Sequence, residues 1–116
     1  MQVQVHTDNH ITGREALVDR VEAEVVESLG RFGDRITRVE VHIIDKNGPK
    51  HGADDKRCLM EARVAGLHPI AASHSAATID LAIEGAAEKL VHALDHALHK
   101  HDPKGGPSMA GDTQLL

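Results

Sequence analysis

Apolar residues in this chain switch between two spacings, and this switching limits the fold more than any other sequence feature. Gln2 to His6 alternates polar and apolar residues, as a half-buried strand does. After Thr12 the apolar residues recur at every fourth position, as expected for an amphipathic helix: Leu17, Val21, Val25 and Leu29. We predict that this helix begins with a Thr12/Glu15 capping box and ends near Gly30 or Gly33.

The remainder of the chain predicts three more strands and a second helix. Residues 35–45 and 56–65 each alternate with a period of two, and a turn at Gly66 leads to a strand at about 69–75. The Gly- and Asn-containing stretch 46–54 is typical of a loop. Apolar residues at helical spacing then predict a helix from about Thr78, its N-cap, to His101.

The element order is therefore βαβββα. A crossover helix makes the first two strands parallel neighbours, and a meander follows. Polar positions on the second and third strands indicate a sheet with one solvated face, so both helices cover the other face. We predict an α+β two-layer sandwich with a four-stranded sheet and two helices on one face. In this 116-residue chain, 1–101 form one domain and 102–116 form a flexible tail.

Composition excludes several classes of protein. A single cysteine, Cys58, rules out a disulfide framework and a multi-cysteine metal cage, and its strand position predicts a buried thiol. No apolar run approaches the roughly 20 residues of a membrane helix. Neither a catalytic triad spacing nor a phosphate-binding glycine loop is present. We therefore expect a cytoplasmic protein that is not an enzyme, with no cofactor, no metal, no small-molecule substrate and no membrane contact.

The aromatic and charged residues restrict how nucleic acid can be bound. The chain has no Trp or Tyr and one Phe, so bases cannot stack on an aromatic platform as in many single-strand binders. Its formal net charge is −5 with its ten histidines neutral. Histidine has an ordinary pKa of about 6.5, so the net charge rises to roughly +2 near pH 6. Any contact with nucleic acid must use phosphates, sugar hydroxyls or groove shape.

Three stretches resemble a known family. They are Arg31-Phe-Gly-Asp-Arg-Ile-Thr-Arg-Val-Glu-Val-His42, Asp54-Asp-Lys-Arg-Cys-Leu-Met-Glu-Ala-Arg63 and Ala82-Ile-Glu-Gly-Ala-Ala-Glu-Lys-Leu90. In this order and spacing, over about residues 1–100, the chain resembles the ribosome hibernation-promoting and ribosome-associated inhibitor family, also called sigma-54 modulation proteins. The likeness is to the short form that lacks a separate C-terminal dimerisation domain.

The resemblance implies a partner and a way of working. It implies binding to the small ribosomal subunit and its rRNA near the decoding region, which blocks mRNA and tRNA in stationary phase or stress. The family's second helix carries a Lys-Leu-x-Arg-x-Leu-x-Lys pattern that faces rRNA. Here Lys89 and Leu90 match it, while His92 and His96 stand at the Arg and second Lys positions.

Other positions also depart from the family's pattern. On the first helix, Glu24 and Glu27 fall near positions that are often Lys, and Asp80 replaces an aromatic residue at the start of the second helix. The candidate ribosome-binding residues are Lys56, Arg57, Arg63, Lys89, His92, His96, His99 and Lys100.

Each group among these candidates has an alternative interpretation. The three histidines of the second helix share one face and form a switchable cationic stripe, a metal site, or ordinary solvated surface. The basic residues of the third strand contact phosphates, or they pair with acidic residues across the sheet. We expect a translation-inhibiting ribosomal factor. The alternatives are a regulatory protein-interaction module of the sigma-54 modulation type with weak RNA affinity, and a His-rich metal-binding protein.

Overall fold

A computed structural model describes residues 1–8, 13–45 and 55–100 of the chain, without the side chain of Lys100. Its elements are β1 (Gln2–Thr7), α1 (Arg14–Leu29), a 3-10 helix (Gly30–Arg35), β2 (Ile36–Asp45), β3 (Lys56–Val64), β4 (Ile70–Ala76) and α2 (Ile79–Lys100). This is the predicted βαβββα order, with boundaries one or two residues from those expected. The predicted loop 46–54 and the predicted tail 102–116 lie outside the described residues.

The four strands form one mixed sheet in the order β1-β2-β3-β4. β1 and β2 are parallel, with Val5 opposite Val41, whereas β2–β3 and β3–β4 are antiparallel. The parallel first pair and the following meander confirm the predicted topology. Between β3 and β4 the backbone turns at Gly66, whose φ of 81° is readily adopted only by glycine.

Alternation along the strands separates a buried sheet face from an open one. The buried face includes Val39, Val41, Ile43, Cys58, Met60, Ala62 and Val64. Helix α1 packs Val21, Val25 and Leu29 into the same core, and α2 contributes Ile83, Leu90 and Leu94. Both helices therefore cover one face, and the α+β sandwich is confirmed. Within the described residues, no helix has the length and apolar character needed to cross a membrane.

The two helices begin differently. Thr78 caps α2 as predicted, because its Oγ1 accepts a hydrogen bond of 3.1 Å from the backbone N–H of Leu81. The predicted cap of α1, Thr12, lies outside the described residues, and the helix starts one residue later than that prediction requires. Its N-cap is Gly13, in a left-handed conformation with φ of 67° and no side-chain cap. The expected capping box is therefore wrong, since Glu15 is too close to the helix start to occupy its third position.

Candidate nucleic-acid interface

The outer surface of α2 carries four of the predicted contact residues. Ile83, Leu90 and Leu94 lie on the side of α2 that packs against the sheet. Side chains half a turn away around the helix therefore face solvent. The exposed residues there are Lys89, His92, His96 and His99, which we call the α2 stripe. Lys100 is the last residue of the helix, and its side chain is outside the described part of the structure.

Several carboxylates of α2 are paired with arginines of the neighbouring elements. Arg20 of α1 lies with Nη2 at 3.1 Å from Oε2 of Glu84 and with Nε at 3.5 Å from Oδ1 of Asp80. Arg31 of the 3-10 helix pairs with Asp95. A hydrogen bond to Glu24, aided by the charges of these carboxylates, raises the pKa of the Arg20 guanidinium above its ordinary value. These pairs reduce the negative charge beside the α2 stripe.

Phe32, the one Phe/Tyr/Trp residue of the chain, is unsuited to base stacking. Its ring is buried, with 8% of the residue exposed, and the Arg31 guanidinium carbon lies 4.4 Å from the ring centroid. One face of the ring therefore has a cation–π partner already. Any contact of this protein with nucleic acid therefore depends on charge and shape and not on base stacking, as the composition indicates.

Arg57 and Arg63 lie on the open face of the sheet, on the opposite side of the sandwich from the α2 stripe. Arg57 donates a hydrogen bond of 3.5 Å to Oγ of Ser73 on β4. Arg63 lies 3.8 Å from Glu40 on β2, which is a cross-strand pair of the kind given above as the alternative to phosphate binding, and 3.7 Å from Glu61 on its own strand. The structure thus does not bring the candidate residues together: Lys89 and the three histidines of α2 lie on one face, and Arg57 and Arg63 lie on the other.

Lys56 belongs to neither exposed surface. Its Nζ lies 2.9 Å from Asp55 and 3.4 Å from Asp45, and 15% of its side chain is exposed. The hydrogen bond to Asp55, with the charge of Asp45, raises the pKa of Lys56. The Asp45 backbone N–H in turn donates to Asp8 Oδ2 at 3.0 Å. Lys56 therefore ties the ends of β2 and β3 together rather than presenting its charge to a partner.

A cluster that the sequence reasoning missed lies on the open sheet face near β1. The rings of His6 and His42 stack with centroids 4.6 Å apart. Oε1 of Glu40 lies within 4.0 Å of the Nε2 atom of each ring. Among the described residues, this is the one group of three potential metal ligands that lie close together. Within the described part of the chain, the α2 histidines belong to no such group. The sequence contained one sign of this cluster: all three residues are at outward-facing positions of two strands that were predicted to be neighbours.

Cys58 is buried, as predicted from its position in β3. Burial raises the pKa of its thiol to about 12, because a thiolate would lose hydration without gaining a partner charge. A cysteine in this state is neither an activated nucleophile nor a ready metal ligand at neutral pH.

Comparisons with known proteins relate this fold to ribosomal proteins. A family profile described as "Sigma 54 modulation protein / S30EA ribosomal protein" matches residues 3–102. A ribosomal subunit interface protein from Coxiella burnetii superimposes with a TM-score of 0.69 at 14% identity, covering 84% of this chain and 97% of its own. The N-terminal domain of Thermus thermophilus Protein Y gives 0.67 at 15% identity, covering 84% and 99%. No curated protein sequence matches the chain.

Proposed function

Because the chain belongs to the sigma 54 modulation protein / S30EA ribosomal protein family, we propose that it binds the small ribosomal subunit near the decoding region and inhibits translation in stationary phase or stress. The family is one of ribosome-associated factors, and it is not known as a family of enzymes. The observation that carries this proposal is the match over residues 3–102, which includes every described element apart from Gln2, the first residue of β1. The proposed site of action is the cytoplasm, where ribosomes are found.

We assign the main rRNA contact to the α2 stripe. Its support is geometric: Lys89, His92 and His96 are all exposed along one side of a well-packed helix. A rigid helix can hold cations at fixed spacing against phosphates, which position a protein on RNA without reading its sequence. Arg57 and Arg63 face the other way, and Arg63 is already paired with two carboxylates.

The histidines of the α2 stripe make this contact sensitive to protonation, because the other exposed charges of the two helices are largely acidic. Exposed acidic residues on α1 include Glu15, Asp19, Glu22 and Glu27, and Glu88 lies one turn before His92 on α2. At neutral pH, therefore, Lys89 is the permanent cation of the stripe. When histidine is protonated, the stripe gains up to three positive charges. We propose that ribosome binding strengthens as the cytoplasm acidifies.

The test is co-sedimentation of the protein with purified small subunits and whole ribosomes through a sucrose gradient. We expect binding that weakens as salt rises, because each phosphate contact lowers log K by roughly 0.7–0.9 per log unit of salt. Salt-independent binding would contradict the rRNA contact. No binding at low salt and pH 6 would contradict the proposed function as a whole.

The acidic outer surface of α1 favours a second candidate, the regulatory protein-interaction module. Its four exposed carboxylates, Glu15, Asp19, Glu22 and Glu27, would repel RNA and attract a basic protein surface. Replacing Glu22 and Glu27 by Gln distinguishes the two candidates. Ribosome binding should strengthen slightly if α2 contacts rRNA, whereas a basic protein partner would be bound more weakly.

A further inference from the structure

We propose that His6, Glu40 and His42 form a binding site for a divalent transition-metal ion such as Zn²⁺ on the open face of the sheet. The site lies on the opposite side of the sandwich from the α2 stripe, and it does not depend on the proposed ribosome binding. Two imidazoles and one carboxylate form a ligand set that suits Zn²⁺, which protein sites also bind through three side chains and a water molecule.

The backbone places the three residues together. His6 and His42 are opposite each other in the parallel β1–β2 ladder, where Gln4 is opposite Glu40. Glu40 and His42 are two residues apart on β2, so their side chains leave the same face of the sheet. Because the register is fixed by the ladder and by the buried residues on the other face, the chain brings the ligands together on folding without a mobile loop.

The side chains converge on a single oxygen atom. Oε1 of Glu40 lies 3.9 Å from Nε2 of His6 and 4.0 Å from Nε2 of His42. All three possible ligand atoms lie within 4.8 Å of one another. Around tetrahedral Zn²⁺, with bonds of 2.0–2.1 Å, ligand atoms are about 3.3 Å apart. The two nitrogen–oxygen separations must therefore shorten by about 0.6–0.7 Å to close around an ion.

The second carboxylate oxygen of Glu40 contacts two arginines. Oε2 of Glu40 accepts a charge-assisted contact of 2.9 Å from Nη2 of Arg38, and Nε of Arg63 lies 3.8 Å away. These arginines orient the carboxylate so that Oε1 faces the two imidazoles. Contacts of this kind, made to a ligand rather than to the metal, commonly fix ligand orientation. The positive charge of both arginines also opposes a cation, so we expect a site of modest affinity.

The two imidazoles have room to adjust. Their rings are stacked with an angle of 18° between planes, and a metal ion lies in the plane of each ring that binds it. The rings must therefore tilt apart to direct both lone pairs at one point. Half of the His6 side chain and 43% of the His42 side chain are exposed, so this rotation meets little steric resistance. The open face leaves the remaining coordination positions to water.

The experiment is a Zn²⁺ titration of the folded full chain at pH 7.5. Binding is monitored by calorimetry and by NMR of the histidine side-chain nitrogens. We expect one class of binding that shifts the His6 and His42 signals first. His6→Gln and His42→Gln should each weaken this binding about tenfold or more, and Glu40→Gln should weaken it as well. The matched control is His92→Gln/His96→Gln, which removes two histidines at chelating spacing on α2 and should leave the affinity unchanged.

Three results would overturn the site. They are the absence of Zn²⁺ binding by the wild type, equal affinity of the wild type and His6→Gln, and loss of binding in the α2 double variant instead. Circular dichroism of each variant checks that the fold is retained. Since His6 and His42 are largely at the surface, their replacement should not change the melting temperature of the metal-free protein.

Discussion

The imidazole of His74 on β4 lies directly against Gly85 of α2, in the space that a side chain at residue 85 would occupy. A Cβ atom built at Gly85 would overlap the Cδ2, Cγ and Nε2 atoms of the ring. Glycine here allows the helix to approach the edge strand closely, and the ring takes the place of the missing side chain. A strand residue and a helix residue, eleven positions apart in sequence, therefore set the distance between the two layers at this edge.

We predict that Gly85→Ala destabilises the protein despite the better helix propensity of alanine. Alanine should stabilise the helix by about 1 kcal/mol. The overlap between the new methyl group and His74 should outweigh this gain in helix propensity. Because overpacking a tight contact is destabilising, the free energy of unfolding should fall by about 1–3 kcal/mol. Urea unfolding measures the change.

The matched control for that prediction is a double-mutant cycle. In a His74→Ala background the ring is gone, so Gly85→Ala should stabilise the protein by up to about 1 kcal/mol. A destabilisation of the same size in both backgrounds would show that the contact with His74 is not the cause.

Charge reversal at Lys89 and at Arg57 distinguishes the two candidate faces. Lys89→Glu on α2 should weaken ribosome binding about tenfold and reduce the slope of log K against log salt by about 0.7–0.9, the share of one phosphate contact. Arg57→Glu, on the other side of the sandwich, should bind as the wild type does. Co-sedimentation at several salt concentrations measures both effects. The reverse outcome would move the interface to the open sheet face.

Ribosome affinity should rise as the pH falls from 7.5 to 6. Histidine gains its charge below an ordinary pKa of about 6.5, and the rRNA phosphates favour the protonated form, so protons are taken up on binding. On α2, the charged residues within one turn of these histidines include Glu88, Lys89 and Asp95, and Asp95 is paired with Arg31. Each protonated contact should add on the order of 0.5–1 kcal/mol at a screened surface.

Glutamine at positions 92, 96 and 99 should remove this pH dependence while leaving the affinity at pH 7.5 unchanged. His6→Gln is the matched control, because His6 is exposed on the open face of the sheet, on the opposite side of the sandwich from α2. Equal wild-type affinity at both pH values would reduce the α2 stripe to ordinary surface.

The buried thiol of Cys58 should make the protein less stable at alkaline pH. Its pKa is raised to about 12 in the folded state, whereas an unfolded cysteine titrates near 8.5. The folded state therefore holds its proton more tightly. The resulting stability is fully present below about pH 8.5 and is lost as the pH rises toward 12.

Between pH 8 and 9.5 the thiol should account for a loss of about 1 kcal/mol in the free energy of unfolding. The measurement is urea unfolding at both pH values for the wild type and Cys58→Ala. The variant is less stable throughout because it leaves a cavity, but it should lack the loss assigned to the thiol. An identical pH dependence in both proteins would contradict the raised pKa.

The order of the elements, and the side of each strand that faces the core, could be predicted from the amino-acid sequence. These properties are local: alternation in β3 sends Met60 inward and Glu61 outward whatever the strand packs against. The cap of α2 was equally readable, since Thr78 acts on an N–H three residues away. The cap of α1 was not, because Thr12 and Gly13 are both acceptable helix starts and the local signal does not decide between them.

Contacts between residues that are distant in sequence depend on the packing of the whole fold. Parity placed His6 and His42 on the outward side of their strands, but only the parallel register sets them opposite each other, because a shift of two residues would keep the same parity and separate them. From the sequence, Lys56 was predicted to be a surface cation that contacts rRNA. In the fold, Asp45 at the end of β2 lies beside it and pairs with its charge. The division of Lys89 and Arg57 between opposite faces likewise follows from helix packing on the sheet. Such pairings depend on the summed burial of the whole core, which no short stretch of sequence contains.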